Sequence, residues 1–249
     1  MSLLAELSSL ASRGGRGVLF TVVEGEGVGA KTLVVEDGAT VGGGVPQWAL
    51  EQFHELVRRG RNRLLEENGT KVFTEWYGPP PRLLVYGAVD TAESLCAGAK
   101  LLGWTAIAAD ARAAFLTPER LPSADVLIAK WPQEAIAEVA PDHQTAIVVL
   151  THDDKFDEPA LAAALETEAF YIGALGSRRN QERRRERLLE AGVPAASLER
   201  IQGPCGLDIG ADTQPETALS ILSEILAVRG QRSGGPLREA KQRIHVETS

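Results

Sequence analysis

The stretch Tyr171-Ile172-Gly173-Ala174-Leu175-Gly176-Ser177-Arg178-Arg179 carries the residue types of an anion site. Gly173 and Gly176 let backbone approach a ligand, and Ser177 opens a helix whose first N–H groups have no intrahelical acceptor. Arg178 and Arg179 add two guanidinium groups beside those donors, so a phosphate or pyrophosphate is the natural guest. The plainer alternative is a capped helix with surface arginines. The run continues to Arg187 with Glu182 and Glu186 interleaved, which reads as a salt-bridged solvent face, not a nucleic-acid stripe.

Three more loops invite chemistry. Thr151-His152-Asp153-Asp154 follows the strongest apolar strand run. A hydroxyl, an imidazole able to shuttle a proton and two carboxylates then stand where open α/β sheets bind ligands. The alternative is a solvated loop with an aspartate capping the next helix. Tyr86-Gly87-Ala88-Val89-Asp90 lies between a strand and a helix, as a dinucleotide fingerprint would, but Val89 takes the second glycine position and Asp90 puts a carboxylate near the phosphate. Asp110 ends the following strand, where an acidic residue meets ribose hydroxyls in dinucleotide folds. Gly203-Pro204-Cys205-Gly206-Leu207-Asp208-Ile209-Gly210-Ala211 precedes the last helix. Asp208 stands among apolar neighbours, which implies a specific partner, either a loop anchor or a ligand. Upstream, Gly42-Gly43-Gly44 is entropically costly and suggests close approach of a ligand or a neighbouring domain, or else a flexible connector.

The elements that must position these loops alternate. Short apolar strands at 83–86, 104–109, 126–129, 145–150 and 169–172 are separated by helical stretches at 91–102, 158–166, 177–191 and 217–228. Such alternation predicts a parallel sheet covered on both faces, with Gly87, Thr151 and Gly173 along one edge. Before Gly78-Pro79-Pro80-Pro81 the pattern differs. It predicts an amphipathic N-terminal helix, a hairpin from 18–23 and 32–35, a turn at Glu36-Asp37-Gly38, a break at the triple glycine, a helix from Pro46 to Glu67 and a strand at 70–77. The expected fold class is α/β, a small N-terminal α/β domain over 1–78 and a Rossmann-like parallel-sheet domain over 82–229, with a tail at 230–249.

Composition excludes several classes. With 26 basic and 34 acidic residues the formal charge is −8, unsuited to a general nucleic-acid or anionic-membrane binder. No apolar run reaches the ~18 residues of a membrane span, and the N-terminus lacks a signal-peptide pattern. Two cysteines, Cys96 and Cys205, make no disulfide framework. Free thiols suit the cytoplasm. The four histidines show no metal-ligand spacing, and no metal site is expected.

In this order, Gly29-Ala30-Lys31, Gly42-Gly43-Gly44, the strand into Gly87, Asp110-Ala111-Arg112, Thr151-His152-Asp153, the Tyr171–Arg179 stretch and Gly203–Ala211 resemble the XdhC/CoxI family. The resemblance runs from about residue 16 to 229. It implies an accessory factor, more a maturation chaperone than an enzyme, that binds molybdenum cofactor (molybdopterin) and helps mature xanthine dehydrogenase or carbon monoxide dehydrogenase. The implied partners are a molybdenum hydroxylase apoenzyme, a cysteine desulfurase and a second copy in a homodimer. The implied cofactor contacts are Gly43 and Gly44, Gly87 and Asp110, Thr151, His152 and Asp153, Gly173, Gly176, Ser177, Arg178 and Arg179, and Asp208. Departures are local. Val45 stands where many members carry cysteine, Val89 and Asp90 where glycine and histidine are usual, and Glu24–Val28 shortens a serine- and proline-containing segment. Two other readings stay open: an NAD(P)-dependent oxidoreductase, in which Asp110 would favour NAD, and a scaffold that only docks a partner.

Overall fold

The central strand of the N-terminal antiparallel sheet, GVLFTVVE, is an apolar run because it is buried on both faces. Val18, Phe20 and Val22 lie in one core layer, and Leu19 lies with Leu10, Leu33 and Val35 in the other. The structure, a computed structural model, describes residues 2–151 and 153–240. These divide into two units, residues 2–79 with 235–240, and residues 80–234.

In the first unit, helix α1 (Leu3–Ser12) is capped by Ser2 and precedes strands β1 (Gly17–Glu24), β2 (Lys31–Val35) and β3 (Thr40–Gly43). Helices α2 (Gln47–Leu50) and α3 (Phe53–Arg59) follow, then strands β4 (Arg63–Glu67) and β5 (Thr70–Tyr77). The sheet order is β3-β2-β1-β5-β4. The expected hairpin is β1–β2, with Val18 opposite Val34, and α1 and β5 form as expected.

Two expectations here are corrected. The helix expected from Pro46 to Glu67 is two short helices ending at Gly60, which takes a left-handed φ of 57°. Beyond it Arg63–Glu67 pairs with β5 as a strand. The helical spacing of Leu56 and Leu64 is coincidental, because Gly60 ends the helix between them. The triple glycine does not break the strand: Gly42 and Gly43 pair with Thr32 and Lys31. Val45, next along, is buried in the core with Phe20, Phe53 and Leu56.

The second unit runs β6 (Arg82–Tyr86), α4 (Asp90–Leu101), β7 (Thr105–Ala109), β8 (Val126–Ile128), α5 (Pro132–Val139), β9 (Thr145–Val149) and α6 (Asp154–Leu165). It continues with β10 (Tyr171–Ala174), α7 (Arg178–Glu190), α8 (Ala195–Leu198), β11 (Ile201–Gln202) and α9 (Gln214–Gly230). All strand pairs are parallel and the order is β11-β10-β9-β6-β7-β8. Numbered from β6, that is 3-2-1-4-5-6 read from the β8 edge, the doubly wound order whose direction reverses between β6 and β9.

Both faces of this sheet are dry, which is why its strands read as continuous apolar runs. Leu83, Val85, Ala106 and Val148 face α4 and α9 with Cys96, Ile221, Leu222 and Ile225. Leu84, Tyr86, Ile107, Ile147 and Val149 face α5 and α6 with Ile136, Phe156 and Leu161. The period of two along each strand sorts one layer from the other. Helix α9 starts in a capping box of Thr213 and Glu216 with Pro215 in its first turn. Among the described residues no helix is long and apolar enough to cross a membrane.

Candidate functional site

Register fixes the site edge. Tyr86 pairs with Val149, and Val149 with Ala174. The loops that start at Gly87, Leu150 and Leu175 therefore leave the sheet side by side, at the carboxyl ends of their strands. This edge, beside the reversal between β6 and β9, is where open α/β sheets hold ligands.

The loop from β10 to α7 turns its two kinds of backbone group in different directions. Its carbonyls are held by the protein. The Ala174 oxygen accepts from Cys205 N at 3.1 Å and from Gln181 Nε2 at 3.0 Å, and the Leu175 oxygen accepts from an Arg184 guanidinium nitrogen at 3.2 Å. The N–H groups of Gly176, Ser177, Arg178 and Arg179 have no acceptor among the described residues. Ser177 is the N-cap, and its hydroxyl accepts from Asn180 N at 3.3 Å. Gly176 sits at φ +129° with no tight neighbour, so glycine is required there by conformation. Arg178 and Arg179 are exposed and unpaired among the described residues. Four N–H groups at a helix start and two guanidinium groups, all without partners among the described residues, form a donor array suited to an anion such as phosphate.

The loop from β6 to α4 looks similar in sequence but loses one of the corresponding donors, since Val89, Asp90 and Thr91 N have no acceptor among the described residues while Ala88 N is taken. Gly87 N donates to Ala109 O at 2.8 Å and Ala88 N to Asp110 Oδ2 at 2.9 Å. Asp110, 1% exposed, is saturated. Oδ1 takes Arg112 N and Nε, both at 2.9 Å, and Oδ2 takes a second Arg112 nitrogen at 2.8 Å. Burial pushes its pKa up, but the bonds from Arg112 and from Ala88 N outweigh that and hold the carboxyl below its usual value. Asp110 therefore has no oxygen left for a ribose diol. Val89, not Asp90, is the N-cap of α4, and Asp90 exposes its carboxylate 3.9 Å from Arg120. Gly87, at φ +109°, lies against the next loop: a Cβ there would stand 2.7 Å from Thr151 Cγ2 and 3.0 Å from Thr151 N.

After β9, Thr151 is buried and its hydroxyl donates to Asp157, whose other oxygen accepts from Arg184 at 2.7 Å. Asp153 is exposed and caps α6 through Lys155 N. His152 lies outside the described residues. Four other residues are expected to touch the cofactor, Gly173, Asp208, Gly43 and Gly44. Gly173 makes room for a side chain of its own strand, since a Cβ there would meet the Tyr171 ring at 2.7 Å. Asp208, expected to have a specific partner, is exposed with none among the described residues. Its apolar neighbour Ile209 is itself half exposed, so the flanking residues imply no burial. Gly43 and Gly44 belong to the first unit, where Gly43 faces open space and a Cβ on Gly44, at φ +84°, would stand 2.9 Å from Ala30 Cβ.

Cys205 is buried beneath the last loop. Burial, aided by Glu224, pushes its thiol up to about 12, so it is neither a nucleophile nor a ready metal ligand. Glu224 accepts from Tyr171 at 2.5 Å and from Gly206 N at 2.9 Å. Among the described residues, no three His, Cys, Asp or Glu side chains gather as a metal-holding group. Sequence reasoning misses Asp157, Gln181 and Arg184, because nothing marks Arg184 among the arginines of α7 as the buried one except its helical spacing from Leu188.

A six-stranded, doubly wound parallel sheet with its donor array at the carboxyl edge defines a Rossmann-type domain. Residues 83–225 match the family model described as the XdhC Rossmann domain, and the chain belongs to that family. It is 31% identical over 228 residues to the uncharacterized protein YqeB of Escherichia coli (strain K12), covering 83% of this chain and 41% of that one. It is 32% identical over 160 residues to a probable xanthine dehydrogenase subunit of Bacillus subtilis (strain 168), covering 64% of this chain and 46% of that one. It is 37% identical over 99 residues to the molybdenum cofactor insertion chaperone PaoD of Escherichia coli (strain K12), covering 40% of this chain and 30% of that one. The matches thus span less than half the length of each curated relative. A crystal structure of a xanthine dehydrogenase from Bacillus halodurans shares the fold, with a TM-score of 0.56 at 19% identity over 97% of this chain and 98% of that one.

Proposed function

We propose that the chain is a molybdenum-cofactor-binding accessory protein that helps mature a xanthine dehydrogenase-type hydroxylase. The observation that carries this is the free donor array at the start of α7, Gly176 to Arg179. It suits the phosphate of a pterin cofactor, and the names of two relatives, PaoD and the probable xanthine dehydrogenase subunit, support the cargo and the partner. In this reading the cofactor is cargo. The chain supplies phosphate binding through Ser177, Arg178 and Arg179, and Thr151 and Asp153 border the same edge. The hydroxylase apoenzyme receives the cargo, a cysteine desulfurase supplies sulfur beforehand, and the chain works in the cytoplasm as a homodimer.

An oxidoreductase using NAD would need Asp110 free for the ribose diol, and Arg112 holds it. The test is direct. Molybdenum cofactor is titrated into the wild type and into the Arg178→Ala, Arg179→Ala and double variants, with thermal melts as folding control. A charge-assisted contact of roughly 1.5–3 kcal/mol predicts one to two decades of lost affinity per arginine that binds. Unchanged affinity in the double variant would show the arginines to be only a solvated helix face.

A further inference from the structure

The donor array is unsupported unless something holds its carbonyl side. That support is a buried chain across three elements. Thr151 Oγ1 donates to Asp157 Oδ1, and Asp157 Oδ2 takes a guanidinium nitrogen of Arg184 at 2.7 Å. The other terminal nitrogen of Arg184 donates to Gln181 Oε1 at 2.6 Å, and Gln181 Nε2 donates to Ala174 O at 3.0 Å. Arg184 also reaches Leu175 O at 3.2 Å. The ion pair is nearly sealed, with side chains 5% and 2% exposed.

Such a pair is a poor device for stability, since apolar residues of similar volume commonly do as well or better. Here it is not even fully satisfied: Arg184 Nε is buried without an acceptor among the described residues. What the geometry does achieve is to hold the Ala174 and Leu175 carbonyls, and with them the loop that carries the unpaired N–H groups of 176–179. It also ties the Thr151 loop to α7 at a fixed separation.

We infer that Asp157 and Arg184 are positioning residues of the anion site, acting through the 174–177 loop and through Thr151. The inference rests on the anion site proposed above. The test uses the whole chain and inorganic pyrophosphate as probe, with binding measured by calorimetry well below the melting temperature. The double variant Asp157→Leu with Arg184→Met replaces the pair by apolar bulk. It should stay folded while pyrophosphate affinity falls about tenfold, the equivalent of one misaligned charge-assisted bond. Amide hydrogen exchange at 176–179 should change with it.

Thr151→Val and Gln181→Leu each remove one link, and they serve as the test where the double variant does not fold. Each should weaken pyrophosphate several-fold, and Thr151→Ser should restore the wild-type value. Wild-type binding that is untouched in every folded variant overturns the positioning role alone. A wild type that does not bind pyrophosphate overturns the anion site as well, so the two failures are distinguishable.

Discussion

Gly87→Ala separates a glycine kept for packing from one kept for a ligand. At φ +109° an L residue is strained by about 1–3 kcal/mol. The new Cβ would also stand 2.7 Å from Thr151 Cγ2 and 3.0 Å from Thr151 N. The first neighbour belongs to a buried side chain whose hydroxyl bonds Asp157, and the second is backbone next to the β6–β9 pairing, where Leu150 N bonds Tyr86 O at 2.9 Å, so neither gives way cheaply. Forcing such a contact costs about 1–3 kcal/mol. The midpoints sum to about 4 kcal/mol, and partial relaxation brings the expected loss to about 3 kcal/mol. At about 2–4 °C per kcal/mol for a domain of this size, the melting temperature should fall by roughly 9 °C. Urea unfolding and thermal melts of the whole chain read this directly. A loss under about 1 kcal/mol would refute the packing argument. If cofactor affinity then dropped in a variant of unchanged stability, Gly87 would be a ligand-approach glycine instead.

Other outcomes follow from the same contacts. Asp110→Asn should destabilise by about 1.5–3 kcal/mol, the scale of charge-assisted bonds. Because the folded pKa of Asp110 lies below its ordinary value of 3.8, its contribution is present above that value and is lost as pH falls through the lower folded one. The gap in melting temperature between wild type and variant should therefore narrow on going from pH 7 to pH 3, and a constant gap would refute the assignment. Cys96 and Cys205, both buried with thiols pushed up to about 12, should resist a thiol reagent at pH 8 in the native protein and react at once in guanidinium; fast native labelling would contradict their burial. Asp208→Ala should leave stability within about 0.5 kcal/mol, since the carboxylate is exposed and without a partner among the described residues; a larger loss would mean that it anchors the loop.

The second unit is readable from sequence because its physics is one-dimensional. A strand buried on both faces must be an apolar run, and Leu83–Tyr86 and Thr145–Val149 are buried along nearly their whole length. Their spacing by helical stretches leaves a parallel sheet as the economical solution. The strand order is not readable, since nothing local in β9 says that it pairs with β6 and not with β8. Helix α5 escapes notice because its eight residues carry only a short apolar face, and β11 because two residues make no period. In the first unit β4 is hidden by chance helical spacing across Gly60, where the chain has already turned.

The two helix starts on the sheet edge show where reading residues in order stops working. Both are strand, glycine and helix, and both offer backbone donors. How many donors each start keeps, and what charge stands beside them, is decided by side chains as much as by the backbone. At α4 the carboxylate of Asp110 reaches back from β7 and takes Ala88 N, with Arg112 filling its remaining lone pairs. At α7 the polar groups of Gln181 and Arg184 reach back onto carbonyls instead. At α4 this takes the Ala88 donor while Val89, Asp90 and Thr91 N keep no acceptor among the described residues, and Asp90 puts an exposed carboxylate at that helix start. At α7 the donors of 176–179 all stay unpaired among the described residues, and Arg178 and Arg179 stand beside them. That difference needs the distance from Asp110 to Ala88, which the fold sets through the β6–β7 register of Tyr86 against Ala109. The anion site therefore follows from pairings between strands as much as from the Ser-Arg-Arg at which it sits.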